Sequence, residues 1–369
     1  MRPSSVATIR RVILQGPPAG RRPRLLLLSM YPLDQGRWGP TVRISALRAE
    51  LAELVELDVI AGYRGPRRVA LARYATSGRL RGLDGIYVES SSFLPAETDL
   101  AFLGLARALG VPVLTYIRDA YQLFPDAYPR DSLRRRIAAA AFRPAMGALR
   151  AVSSRMAFPS AGLAQMVLGS HADDAVLLPP GSPRPVAVAR SPIANRFLFV
   201  GDARLAAQGG DRLVAAVDRV RQQGAAVELT VVCRPGQEPP PPHPGWLRIE
   251  RAEGDAIHSL LGDVIASVIP RPISPYNDLA LPVKLFDYLS YSRPIVVTDC
   301  REQARVVREA GAGVVTDDHA DAIANGLERV ASAGAGGIAE WSANAAAAAV
   351  AASWSARASR IVQLLAELR

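Results

Sequence analysis

Apolar residues fall along this chain in short runs, separated by polar breaks containing glycine and proline. Arg24 to Met30 carries four consecutive leucines and is followed by a Gly/Pro-containing loop from Tyr31 to Pro40. A short, fully apolar run with turn residues after it predicts a strand buried on both faces of a parallel sheet. From Thr41 to Leu54 the apolar positions change to helical spacing, with Val42, Leu47, Leu51 and Leu54 on one side. Val55 to Ile60, Gly85 to Glu89 and Pro112 to Tyr116 read as further strands, and Ala101 to Leu109 as a helix ended by Gly110. Strands alternating with helices predict a doubly wound parallel sheet.

The pattern breaks at a proline-rich connector, Pro179 to Pro192, and then restarts. Strands are predicted at Arg196 to Gly201, Val227 to Cys233, Trp246 to Ile249, Val264 to Ile269, Ile295 to Thr298 and Gly313 to Thr316, with a helix from about Asp211 to Gln222. Ala343 to Ala352 is a helix-prone alanine tract. Ser353 to Arg369 is predicted as an amphipathic helix with Trp354, Ile361, Leu364, Leu365 and Leu368 on its apolar face. At 369 residues the chain exceeds one compact core, so two domains are expected. The expected division is a basic tail at 1–22, an α/β domain at 23–183, a second at 184–350 and a terminal helix at 351–369 that packs back on the first. Two such domains leave a cleft at the carboxyl ends of their strands, where open α/β sheets bind ligands.

Composition narrows the partners. The net charge of +10 points to an anionic ligand or surface. Aromatic residues make up only 6%, which disfavours single-strand nucleic-acid binding, and no zinc-finger or RNA-binding signature occurs, so no nucleic-acid partner is expected. Cys233 and Cys300 each end an apolar run, a placement for buried thiols in a reducing compartment. No segment reaches the ~18 apolar residues of a membrane span, and the first 22 residues lack a signal peptide's apolar core, so the expected location is the cytoplasm.

Several chemistries are excluded by pattern. No GxGxxG opens a helix after a strand, and there is no P-loop, HExxH or GxSxG. The four histidines, at 171, 243, 258 and 319, stand in unrelated contexts, which argues against a histidine metal site; neither a metal nor a cofactor is expected.

One positive feature stands out. Of the 44 lysines and arginines, Lys284 alone is a lysine. It offers a compact ammonium where every other basic position carries a planar guanidinium. The strand Asp263 to Ile269 runs through a loop, Ile273 to Leu281, into a helix expected to begin near Pro282. Lys284 and Asp287 then lie three apart on one helix face. Helix N-terminal amides with a lysine favour a phosphate, and a carboxylate one turn further can accept hydrogen bonds from a diol such as a ribose.

On these residues the chain resembles the retaining GT-B glycosyltransferases, family 4 in particular. Pro282-Val283-Lys284-Leu285-Phe286-Asp287-Tyr288-Leu289, continuing to Asp299, is similar to that family's P-x-K-x-x-E-Y-(small)-x-G-x-P-V-V pattern. Ala157 to Ser160, Leu178 to Gly181, Phe199 to Gly201 and the Trp354 helix match in the family's order, so the resemblance spans roughly residues 24 to 369. It implies two Rossmann-like domains and transfer of a sugar from a UDP- or GDP-sugar to a saccharide or lipid-linked acceptor, in glycan or cell-envelope biosynthesis and without a metal. Carried over by position, Asp287 would hold the donor ribose, and Lys284 with Arg204 the diphosphate, with Arg271 in reserve. Arg234 would lie near the base, Asn277 or Asp278 near the donor sugar, and Gly36, Gly39 and Gly201 in loops close to the donor. Arg118 and Asp119 would meet the acceptor, so Asp119, Lys284 and Arg204 form the catalytic set.

The chain departs from the family at three places: Leu279 replaces a glutamate, Gln208 a lysine and Arg118 a histidine. Those departures favour a second reading, a non-catalytic GT-B-like protein that binds an anionic lipid or partner. A third reading, a nucleotide-sugar epimerase, needs acid and base groups that the sequence does not place. The segment Asp131 to Arg150, with Arg134, Arg135 and Arg136, reads as a basic amphipathic helix able to lie on an anionic membrane surface.

Overall fold

A computed structural model describes residues 21–33, 39–92, 94–189, 191 and 195–369. Gly36 and residues 1–20 of the basic tail lie outside the described residues. The first domain runs β1 (Arg24–Ser29), α1 (Gly39–Leu54), β2 (Glu56–Ala61), α2 (Arg64–Thr76), β3 (Gly85–Glu89), α3 (Glu97–Ala108), β4 (Val113–Tyr116), α4 (Leu133–Ala151), β5 (Arg155–Phe158), α5 (Ala161–Leu168) and β6 (Val176–Leu177). The second runs β7 (Arg196–Val200), α6 (Gly210–Gln222), β8 (Glu228–Val232), β9 (Leu247–Glu250), β10 (Val264–Ile269), α7 (Pro275–Leu279), α8 (Val283–Ser290), β11 (Ile295–Thr298), α9 (Arg301–Ala310), β12 (Gly313–Thr316), α10 (Ala320–Ala331), α11 (Gly334–Ala351) and α12 (Trp354–Glu367).

Each domain is built on a six-stranded sheet, ordered β2-β1-β3-β4-β5-β6 in the first and β12-β11-β10-β7-β8-β9 in the second. Every pairing is parallel. The leucine run behaves as a central parallel strand should. Leu26 and Leu28 enter the core on one face of the first sheet, while Leu25 and Leu27 enter the core on the other. In β7 the alternation repeats, with Phe197 and Phe199 on one face and Leu198 on the opposite one. The strand order reverses at β1/β3 and again at β7/β10, and such switch points open crevices at the carboxyl ends of the strands.

The terminal helix α12 leaves the second domain and covers the first. Trp354, Ile361, Leu364 and Leu365 pack with Leu25, Leu27 and Tyr87. The two crossings between domains are tied together, since Ser182 N–H donates to Ala352 O at 2.8 Å and Trp354 N–H donates to Ser182 O at 3.2 Å.

One expectation changes, and one helix was not foreseen. The segment Ile273 to Leu281, expected as loop, contains the short helix α7. Ser274 caps it by accepting from Asn277 N–H, and Pro275 stands at its first turn. The next helix begins at Val283, with Pro282 in extended geometry before it. The helix α2 escapes the sequence pattern because arginines crowd it and one of them, Arg67, points inward. Arg67 Nε and Nη2 each donate to the Asp99 carboxylate at 2.7 Å, with side chains only 4% and 1% exposed. Asp99 also accepts from Ala96 N–H at 2.8 Å at the start of α3, so one carboxylate pins two helices.

Candidate functional site: the cleft between the two sheets

Lys284 occupies the second position of α8, beneath the carboxyl end of β7. Its ammonium donates to Val200 O at 3.1 Å and to Gln208 Oε1, and lies 5.0 Å above the Phe199 ring. Gly201 leaves room for this arrangement. A Cβ there would stand 2.5 Å from Gln208 Oε1 and 3.0 Å from Lys284 Nζ, and its φ of +142° suits glycine alone. Gly209 permits a second close approach: at φ +70°, a Cβ would fall 1.8 Å from Pro270 O. The start of α6 is thereby drawn against the end of β10.

Asp287 follows one turn along α8. Among the described residues, no side chain or amide hydrogen-bonds its carboxylate. Burial pushes the Asp287 carboxyl up to about 7, with Lys284 opposing the shift. Burial pushes the Lys284 ammonium down to about 7, Arg271 adds to that, and Asp287 works against it. The crevice thus holds a carboxylate without a hydrogen-bond partner and an ammonium bonded to neutral oxygens, with a further cation acting on it. Chemically, such a crevice can exchange internal partners for a polar, anionic ligand.

The cation that acts on Lys284 is Arg271, expected only as a reserve. Arg271 Nη1 donates to Ala280 O at 3.2 Å, and its Nη2 donates to Asn277 Oδ1. Asn277 is buried and its amide donates to Pro272 O at 2.7 Å, so both polar ends of this side chain brace the loop that carries Arg271. Arg204 is exposed beyond the loop after β7. Its backbone N–H donates to Asp202 Oδ1 at 3.0 Å and its guanidinium donates to Gly236 O at 3.5 Å. Arg234 is exposed after β8 and pairs with Glu253 at 3.2 Å. Gly39 is the first residue of α1.

On the opposite wall, Arg118 and Asp119 follow β4. Arg118 Nε donates to Asp119 Oδ2 at 2.5 Å, and its Nη2 donates to Tyr31 OH at 3.2 Å and Ser92 Oγ at 3.1 Å. Its guanidinium also lies over the Tyr31 ring. Asp119 beside it holds the Arg118 guanidinium above its ordinary range against the opposing effect of burial. Tyr276, on α7 of the second domain, donates to Asp119 Oδ1 at 3.1 Å. This cross-domain contact was not read from the sequence; the lone signal was a tyrosine in the loop before Lys284. Nearby, Ser160 Oγ donates to Leu279 O at 2.8 Å, which closes the two domains on each other at a second point.

Arg134, Arg135 and Arg136 stand on the exposed start of α4, away from these contacts. Arg135 pairs with Asp131 at 2.7 Å, and Leu133 and Ile137 are exposed beside them. The apolar residues nearer the end of α4, Phe142, Met146 and Leu149, are in the domain core. Among the described residues, no helix is long and apolar enough to cross a membrane, and no group of three or more His, Cys, Asp or Glu side chains could hold a metal ion.

Two parallel-sheet Rossmann-like domains facing across such a cleft define the GT-B fold. Residues 194–333, within the second domain, match the family described as "Glycosyl transferases group 1". No curated protein matches the chain by sequence. Among solved structures, the sucrose-phosphate synthase of Thermosynechococcus elongatus is similar, with a TM-score of 0.64 at 12% identity, covering 94% of this chain and 99% of that one. An alpha,alpha-trehalose-phosphate synthase (UDP-forming) from Burkholderia xenovorans, in complex with glucose-6-phosphate, gives 0.62 at 11% identity, covering 93% and 99%. Anabaena HepE in complex with UDP-glucose gives 0.60 at 14%, covering 93% and 99%.

Proposed function

We propose that this protein is a retaining glycosyltransferase that moves a sugar from a nucleoside diphosphate donor to a saccharide or lipid-linked acceptor. The observation that carries the reading is the pair on α8: an ammonium and an unpartnered carboxylate, three residues apart, at the switch point of the second sheet. Lys284 and Arg271 face the diphosphate, with Arg204 at the outer edge, and Asp287 takes the ribose hydroxyls. Asp119 receives the acceptor hydroxyl from the other wall. The work is positioning and charge stabilisation: cations hold the leaving diphosphate as its bond to the sugar breaks, and no metal is called for. The match of residues 194–333 and the UDP and UDP-glucose complexes of similar folds support a nucleotide-sugar donor. The exposed arginines and apolar side chains at the start of α4 support contact with anionic lipid, which suits a lipid-linked acceptor.

Incubation with UDP- and GDP-sugars and a panel of saccharide and lipid-phosphate acceptors tests the reading. The expected product keeps the donor's anomeric configuration, read by NMR. An inverted product removes the retaining assignment. Donor binding without turnover on any acceptor turns the reading into the non-catalytic one.

The titration of the pair sets a pH dependence. Binding needs Lys284 protonated, which is lost as pH rises through about 7, and Asp287 ionised, which is lost as pH falls through about 7. Affinity for the donor sugar is expected to peak near neutrality and to fall on both sides, at the limit by about tenfold per pH unit. Calorimetric titration across pH checks this, and a flat profile would contradict it.

A further inference from the structure

Asp119 is bonded from two directions that differ in kind. Its Oδ2 is held within the first domain by Arg118 Nε and by Ser92 Oγ at 3.3 Å. Its Oδ1 carries the bond from Tyr276, a residue of the second domain. The Tyr276 ring packs between two aromatic residues of the first domain, with centroids 4.8 Å from Tyr121 and 5.6 Å from Phe124. Next to it in the chain, Asn277 braces Arg271 at the donor side. One short helix therefore touches both halves of the cleft. Arg118 and Ser92 share the first domain with Asp119, so a parting of the domains would remove the Tyr276 bond alone.

We propose that Tyr276 is a positioning residue that latches the second domain onto Asp119, its phenol holding Asp119 Oδ1 until an acceptor hydroxyl takes its place. The replacement is one hydroxyl donor for another on the same carboxylate oxygen, with no bond made or broken beyond hydrogen bonds. While the phenol is in place, it occupies an acceptor site of Asp119 Oδ1 that water would otherwise take, so a bound donor is less open to hydrolysis. The identity of the incoming hydroxyl rests on the glycosyl-transfer reading; the latch itself rests only on the contacts.

Two variants separate the parts. Tyr276→Phe keeps the ring between Tyr121 and Phe124 and loses the bond to Asp119, whereas Tyr276→Ala loses both. With UDP-glucose and GDP-mannose as probes and no acceptor, Tyr276→Phe is expected to release nucleoside diphosphate about tenfold faster than wild type, the equivalent of one hydrogen bond to a charged group. A general loosening of structure would slow turnover, so a gain marks the latch. In X-ray scattering of the full chain, Tyr276→Ala is expected to show a larger radius of gyration than wild type, and Tyr276→Phe a smaller increase. If wild type turns a donor over and Tyr276→Phe hydrolyses it no faster, the proposal is overturned. If no donor is turned over by any form, glycosyl transfer fails as a reading and scattering decides the latch: an unchanged radius in Tyr276→Ala overturns it.

Discussion

Replacing Lys284 with alanine is expected to lower kcat/KM for the donor about a hundredfold or more, since it removes a charge-assisted contact that strengthens as the diphosphate leaves. Folding should be little affected. The ammonium bonds two neutral oxygens, Val200 O and Gln208 Oε1, and neither is left as an isolated buried charge. Lys284→Arg should not restore activity. The space beneath Gly201 is shared with Gln208 Oε1, and a planar guanidinium is broader than the ammonium that fits there. Steady-state kinetics with the preferred donor, beside thermal unfolding of the same samples, checks both statements. A Lys284→Ala protein of full activity would remove Lys284 from the site.

The largest effect on stability is expected at Arg67. Arg67→Met leaves Asp99 buried beside an apolar side chain, with one backbone amide as its remaining bond. Breaking a buried pair from one side costs about 3–5 kcal/mol, because the surviving charge loses its partner without regaining water. The first domain should therefore unfold at lower urea than the second, and the two transitions should separate. By contrast, removing Arg79, half-exposed where it pairs with Asp58 at 2.6 Å, should cost less than about 1 kcal/mol. Equal midpoints for wild type and Arg67→Met would show that the pair contributes nothing net.

These two residues also mark how far the sequence could be read. The buried strands were legible because β1 and β7 are apolar on both faces, a pattern few other elements produce. The helix α12 was legible because its apolar face recurs at helical spacing. By contrast, α2 hid behind its arginines, since a buried ion pair looks like surface until its partner, Asp99, is placed beside it. At the site, Lys284 and Asp287 were legible because one helix turn fixes their spacing. Arg204 was expected to share the diphosphate with Lys284 and Arg271 to stand in reserve; the fold leaves Arg204 on an exposed loop and braces Arg271 through Asn277, a placement that no local pattern in the sequence encodes. The Tyr276–Asp119 contact joins residues 157 apart in the chain, and no local pattern encodes such a meeting.

The central claim is that the crevice around Lys284 and Asp287 receives a nucleoside diphosphate. Titration calorimetry of the purified full chain with UDP and GDP tests it most directly. The account predicts saturable binding of at least one of them at neutral pH, weakened at least tenfold in Asp287→Ala through loss of the ribose contact. Absence of binding by both nucleotides, or equal binding by wild type and Asp287→Ala, would contradict it.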